Sequence, residues 1–295
     1  MSDGGERYAG YGLSIESDFA IPGAVAVPLE GGPPDITVTA GAAQIGPVDA
    51  ASGPYRLSGA SLLLEVPGVA RYLARSASAL EIAPDPTAAE QDVSALLVAT
   101  GLPMLLWMRG GAVLHAAGVM MPGAGSAIAI AGASGSGKSR LARACLARGA
   151  SLLGDDSLLL AGDCDGIVAS GLPASLFGPV AGGGARDIHP VPSSQQAGPA
   201  PLGAVVVLCA VPAEAPPNLE RMSAVEALEL LLQHAHRPRI PEILGRRPAM
   251  LAALAQCCRH TPVYRLDIPG GRSSITQAWL DAAVDGLNDL FQARE

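Results

Sequence analysis

Lysine is almost absent from this chain. Lys138 stands alone among 295 residues, and the rest of the 19 Lys and Arg side chains are arginines. Aromatics are nearly as scarce, at 3% of a sequence that is 49% hydrophobic, so the core has to be built from Ala, Val and Leu. There is no basic run, and the formal net charge is −8. That balance argues against non-specific binding to nucleic acid or to anionic membranes, both of which rest on clustered cations. The five cysteines are odd in number and form no C-x-x-C pair, and Met1-Ser2-Asp3-Gly4-Gly5-Glu6 lacks the apolar core of a signal peptide. A reducing cytoplasm is the expected setting. The longest apolar stretch, 96–108, is interrupted by Gly101-Leu102-Pro103 and falls short of the ~18 to 20 residues that span a bilayer. It is expected to be a buried helix, and no membrane partner is expected.

What is present centres on that one lysine. Gly132-Ala133-Ser134-Gly135-Ser136-Gly137-Lys138-Ser139 fits the phosphate-binding pattern G-x-x-x-x-G-K-[ST], with Arg140 following. A compact ammonium can follow a tight glycine loop to the β- and γ-phosphates, where a planar guanidinium is too bulky. The apolar run 127–131 before the loop predicts a buried strand, and 140–148 after it predicts a helix closed at Gly149. Strand, glycine loop and helix form the arrangement in which backbone N–H groups and a positive helix end hold a polyphosphate, with Ser139 placed to ligate Mg²⁺.

Before the loop, strand-like runs at 12–17, 36–40, 55–58, 61–66 and 79–82 alternate with Gly/Pro clusters, which predicts a β-rich N-terminal domain over 1–86. Thr87 is expected to cap a helix linking the domains over 87–110. A strand over 112–121 carries His115. Strands and helices alternate from there, so 111–295 is expected to be an α/β catalytic domain with a mainly helical C-terminal part. The Gly/Pro/Ser-rich stretch 177–201 is expected to be a long functional loop.

Gly154-Asp155-Asp156 lies one helix and one strand beyond Lys138, so both carboxylates can return beside the phosphates. Mg²⁺ needs a carboxylate near a triphosphate, and a hydroxyl nucleophile needs a base; adjacent aspartates can divide those jobs. The apolar strand 204–208 ends in Cys209-Ala210-Val211 without an acid, which shifts the metal role onto the Asp pair. Arg186 can swing onto the transferring phosphoryl group as an arginine finger does, and Arg237 and Arg239 can grip a carboxylate.

Leu114-His115-Ala116-Ala117-Gly118-Val119, the glycine loop, Arg148-Gly149 and then Leu152-Leu153-Gly154-Asp155-Asp156 resemble, over 113–160, the catalytic domain of the HPr serine kinase/phosphorylase family. The resemblance implies a P-loop core of the HPr kinase/PEP carboxykinase type, using ATP or another nucleoside triphosphate with Mg²⁺. It also implies that Asp155 is the base acting on a serine, that Asp156 helps Ser139 hold the metal, and that His115 supports the carboxylate. The acidic, arginine-bearing signature tied to phosphorylase action is not visible in 171–177. Tyr11-Gly12-Leu13, Glu226-Ala227-Leu228, His234-Ala235-His236-Arg237-Pro238-Arg239 and Pro262-Val263-Tyr264-Arg265-Leu266 look more like the shorter HPr-kinase-like enzymes of peptide-biosynthesis clusters, including lasso-peptide precursor kinases. The expected partner is therefore a serine-bearing peptide, with HPr or another small protein as the alternative and a homo-oligomer left open. A rival reading is a nucleotide-binding regulatory module that only hydrolyses ATP slowly.

Overall fold

The computed structural model describes residues 5–29, 31–162, 166–180, 186–211, 216–270 and 275–292. It is a mixed α/β molecule with two large sheets. The first holds nine strands, β1 (Glu6–Gly10), β2 (Leu13–Ser17), β3 (Val25–Val27), β4 (Ile36–Ala40), β5 (Ala50–Ser52), β6 (Tyr55–Ser58), β7 (Ser61–Val66), β8 (Ala70–Ser76) and β9 (Ala79–Pro84). Their spatial order is β3-β1-β2-β4-β9-β8-β7-β6-β5. Hairpins dominate, and β4 alone runs parallel to both its neighbours, β2 and β9. Alternate residues such as Ile36 and Val38, or Leu62 and Leu64, enter the core.

The helix Glu90–Met108 crosses next. Thr87 does not cap it: its hydroxyl donates to Asp85 at 2.6 Å, and the N-terminal cap is Ala89, whose methyl cannot accept a hydrogen bond. As expected, the helix runs on through Gly101-Leu102-Pro103. The helix passes through with a π-helical turn over Leu97–Gly101. Pro103 lacks the N–H that Ala99 O needs one turn back, and His236 Nε2 (2.9 Å) and Arg237 Nε (3.1 Å) donate to that carbonyl instead. The helix is long and apolar enough to cross a membrane by length and composition, and 72% of its apolar window is buried inside the fold, where it contacts both sheets.

The second sheet contains β10 (Ala112–Leu114), β11 (Ala116–Met120), β12 (Ala127–Gly132), β13 (Ser151–Gly154), β14 (Leu158–Gly162) and β15 (Ile167–Ser170). After a separate hairpin of β16 (Ser175–Val180) and β17 (Arg186–Pro190), it is completed by β18 (Ala200–Val211), β19 (Leu219–Arg221) and β20 (Val263–Pro269). The order is β10-β14-β15-β18-β12-β11-β13, with β20 also on β18 and β19 beside β20. The stretch 177–201, expected as one long loop, thus carries the end of β16 and all of β17, paired with each other. Strands β12, β18 and β20 are parallel. In β12, Ala127, Ala129 and Ala131 face the core shared with the first sheet and with the helices Ala224–Gln233 and Arg247–His260. Ile128 and Ile130 face the helices Lys138–Ala147 and Gln277–Gln292. Burial on both faces explains why this strand reads as one unbroken apolar run.

Candidate functional site

Strand β12 ends at Gly132 with φ +153°, where a Cβ would stand 2.7 Å from Ser136 Oγ and 3.1 Å from Leu208 Cβ. Only glycine fits there. The loop then feeds the helix Lys138–Ala147, whose N-terminal turn points its N–H groups back towards the loop. Lys138 is buried, and Nζ donates to Gly132 O (2.9 Å), Ala133 O (3.0 Å) and His115 Nε2 (3.0 Å). Ser136 Oγ is buried with no hydrogen-bond partner among the described residues. An orphaned hydroxyl inside a glycine cradle is what an oxygen-rich anion satisfies.

The Asp pair follows β13, which the helix Lys138–Ala147 returns to the same end of the sheet. Asp155 is 2% exposed. Its Oδ1 accepts from Ser139 Oγ (3.1 Å) and Asp156 N (2.9 Å), and its Oδ2 accepts from Phe177 N (2.9 Å). Burial pushes the Asp155 carboxyl above the usual carboxylate range, against the pull of the Phe177 N–H and the Ser139 hydroxyl. Asp156 sits in the left-handed region at φ +74°, where Asp is tolerated better than most residues.

His115 falls between β10 and β11, which pair with different strands, so the single strand expected over 112–121 is broken at this residue. The break turns the ring towards the Asp pair. Nδ1 lies 2.7 Å from Asp156 O and 3.6 Å from Asp156 Oδ1. A main-chain carbonyl can only accept, so Nδ1 carries the proton and Nε2 receives the Lys138 ammonium. His115 is therefore a neutral bridge from Lys138 to Asp156. The His115 N–H donates to His234 O, and the His236 N–H donates to Val113 O, each at 2.7 Å. This lays 234–236 along 113–115 and brings the His236 ring centroid within 5.5 Å of that of His115. Burial pulls His236 down to about 4; His234 is also pulled to about 4, by burial and then by the Lys138 charge.

His115, Ser134, Gly135, Gly137, Lys138, Ser139, Arg140, Asp155 and Asp156 all line one cavity of about 510 Å³. Gly132, Ala133 and Ser136 form the loop beneath it. Arg143, Phe177, Gly178 and Ile275 complete the wall, none of them singled out by the sequence. Phe177 contributes through its main-chain N–H, for which a side-chain motif holds no signal. Arg186 opens β17, but its side chain lies outside the described residues. Arg237 is turned onto Ala99 O, Arg239 stands near Gly53 of the first sheet, and neither lines the cavity. Among the described residues no group of three or more His, Cys, Asp or Glu could hold a metal alone. Two carboxylates and a hydroxyl beside a phosphate cradle do fit Mg²⁺, which completes its shell with phosphate oxygens and water.

No protein-family model matches the chain, and no curated protein matches it. Among solved structures the chain is similar to the HPr(Ser) kinase/phosphatase from Coxiella burnetii, at 16% identity and a TM-score of 0.36, over 61% of this chain and 98% of that one. A likeness of this degree leaves the site to be judged on its own geometry.

Proposed function

We propose that the protein is a Mg-ATP-dependent kinase of the HPr kinase/PEP carboxykinase type that phosphorylates a hydroxyl, with the serine of a peptide or small protein as acceptor. One observation carries the reading: the glycine loop with its lysine and serine shares a single cavity with two adjacent carboxylates kept in different company. Loop N–H groups and the helix N-terminus hold the polyphosphate, and Lys138 exchanges its carbonyl partners for phosphate oxygens. Mg²⁺, when bound, neutralises charge on the transferring phosphoryl group. Ser139 and Asp155, in contact at 3.1 Å, are its natural holders.

That division reverses the one implied by family resemblance, which put the base at Asp155 and the metal at Asp156. Asp155 is buried with its oxygens on Ser139 and Phe177 N, and Asp156, whose main-chain carbonyl accepts from His115, lines both the phosphate cavity and a second, apolar cavity. In this reading the acceptor hydroxyl yields its proton to the Asp156 carboxylate as its oxygen bonds to the γ-phosphorus and ADP departs. The favoured acceptor is a ribosomally made precursor peptide of the lasso type, on the sequence resemblance alone; HPr is the alternative.

Labelled ATP tests the reading. Lys138→Ala should weaken ATP binding about tenfold or more, the loss expected for a charge-assisted contact. Asp156→Asn suits the left-handed backbone; it should bind ATP normally and lose roughly 10²–10⁴-fold in turnover, while Asp155→Asn should raise the Mg²⁺ requirement. Label appearing only as inorganic phosphate, whatever serine peptide or HPr is supplied, would leave the regulatory-module reading in its place.

A further inference from the structure

A second, smaller cavity of about 70 Å³ adjoins the first, and Asp156 and Phe177 line both. Three segments meet around it: Pro22 after β2, Val98 and its neighbours Ala95 and Ala99 on the helix Glu90–Met108, and the cross-strand pair Phe177 and Ile188 of the β16–β17 hairpin. Apart from Asp156 and Gln91, every side chain in its lining is apolar. Ile188, on the hairpin, is 45% exposed. The cavity volume exceeds several times the ~10–15 Å³ that admits one water, enough for a compact side chain.

We infer that this cavity is the acceptor subsite, and that it selects a hydroxyl flanked by a small apolar group; this rests on the kinase reading above. Continuity is the argument. A molecule seated in the small cavity and reaching the phosphate cavity has to pass Asp156, the one carboxylate common to both. An apolar group there displaces water from around that carboxylate. An acidic group meets the like charge of Asp156, and a glycine leaves the space unfilled. The predicted occupant is therefore serine next to valine or leucine, rather than serine next to glycine or aspartate.

The test uses the full chain with Mg-ATP and N-acetyl dipeptide amides pairing serine with leucine, valine, glycine or aspartate, in both orders. Leucine or valine should raise kcat/KM over glycine at least about tenfold, the discrimination a hydrophobic pocket achieves for one or a few carbons, with aspartate poorer still. Ile188→Asp, at an exposed position, should remove the gap. Methyl NMR gives a readout independent of turnover: the Val98 and Ile188 methyl resonances should shift with the leucine peptide and not with the aspartate peptide. Equal kcat/KM for all flanks, or absent methyl shifts, overturns the subsite. Methyl shifts without phosphate transfer to any peptide would keep the apolar subsite and sink the kinase reading instead.

Discussion

At the scale of single residues, the site is a chain of hydrogen bonds that fixes charge states. Lys138 donates to His115, His115 donates to Asp156 O, and His236 supplies the donor that Pro103 cannot. The burial of His236 has a pH signature, which its bond to Ala99 O only partly opposes. An unfolded histidine titrates near 6.5 and folded His236 near 4, so between those values the unfolded chain binds more protons. Stability is complete above pH 6.5 and falls as pH drops towards 4, by about 3 kcal/mol for a gap of this size. His234, shifted the same way, adds to the slope. Melting temperatures from pH 7 to pH 4 should fall steeply in the wild type and less steeply in His236→Gln, whose amide keeps a donor for Ala99 O. A slope unchanged by the substitution would remove His236 as its source.

Elements set where those residues stand. The turn from β13 into the Asp pair is pressed against the chain after β15: a Cβ on Gly154 would lie 2.7 Å from Leu172 N and 2.8 Å from Gly171 Cα. Both obstacles are backbone, so nothing flexible can give way. Gly154→Ala should cost ~1–3 kcal/mol, as overpacking does, and should displace Asp155 from Ser139. The urea midpoint and the Mg²⁺ dependence of turnover should change together; a variant shifted in neither respect would mean that this approach does not position Asp155. Asp155 also depends on the β16–β17 hairpin, through the Phe177 N–H, so a segment that composition marks as a loop serves as a wall of the site.

Across the whole molecule, the two sheets share one core. Buried residues from Tyr8 and Ile15 through Leu105 and Leu114 to Val205 and Leu254 belong to a single cluster. The β1–β2 turn is wedged into the second sheet: Tyr11 N–H donates to Gly171 O at 2.8 Å, and its hydroxyl meets Ser157 Oγ at 2.7 Å, directly after the Asp pair. An N-terminal sheet joined in this way is expected to unfold with the rest. Trp107 lies in the shared core and Trp279 in the cluster on the other face of the second sheet. Single-tryptophan variants retaining one or the other should give urea curves that coincide with each other and with far-UV circular dichroism. Two separated transitions would show that the sheets are independent units.

Features that depend on neighbours in the chain were legible in the sequence. The glycine loop between a strand and a helix, the Gly149 helix end, and strands β4, β6 and β7 with their bounds all follow from local sterics and from period-two burial. Strands β1, β3, β5 and β8 were not legible, because three-residue strands such as β3 and β5 and strands that mix arginine with apolar residues, such as β1 and β8, take their pairing from partners elsewhere in the sheet. The linking helix itself was legible and runs through Pro103 as expected, but the donors that satisfy Ala99 O come from residues more than a hundred positions away and were not. The sequence by itself therefore determined which side chains can do chemistry, since a lone lysine in a glycine loop and an Asp pair are local facts. Only the tertiary structure decided their company, setting Asp155 on Ser139 and Asp156 on His115 beside an apolar cavity, because burial and hydrogen-bond partners are properties of space and not of the chain.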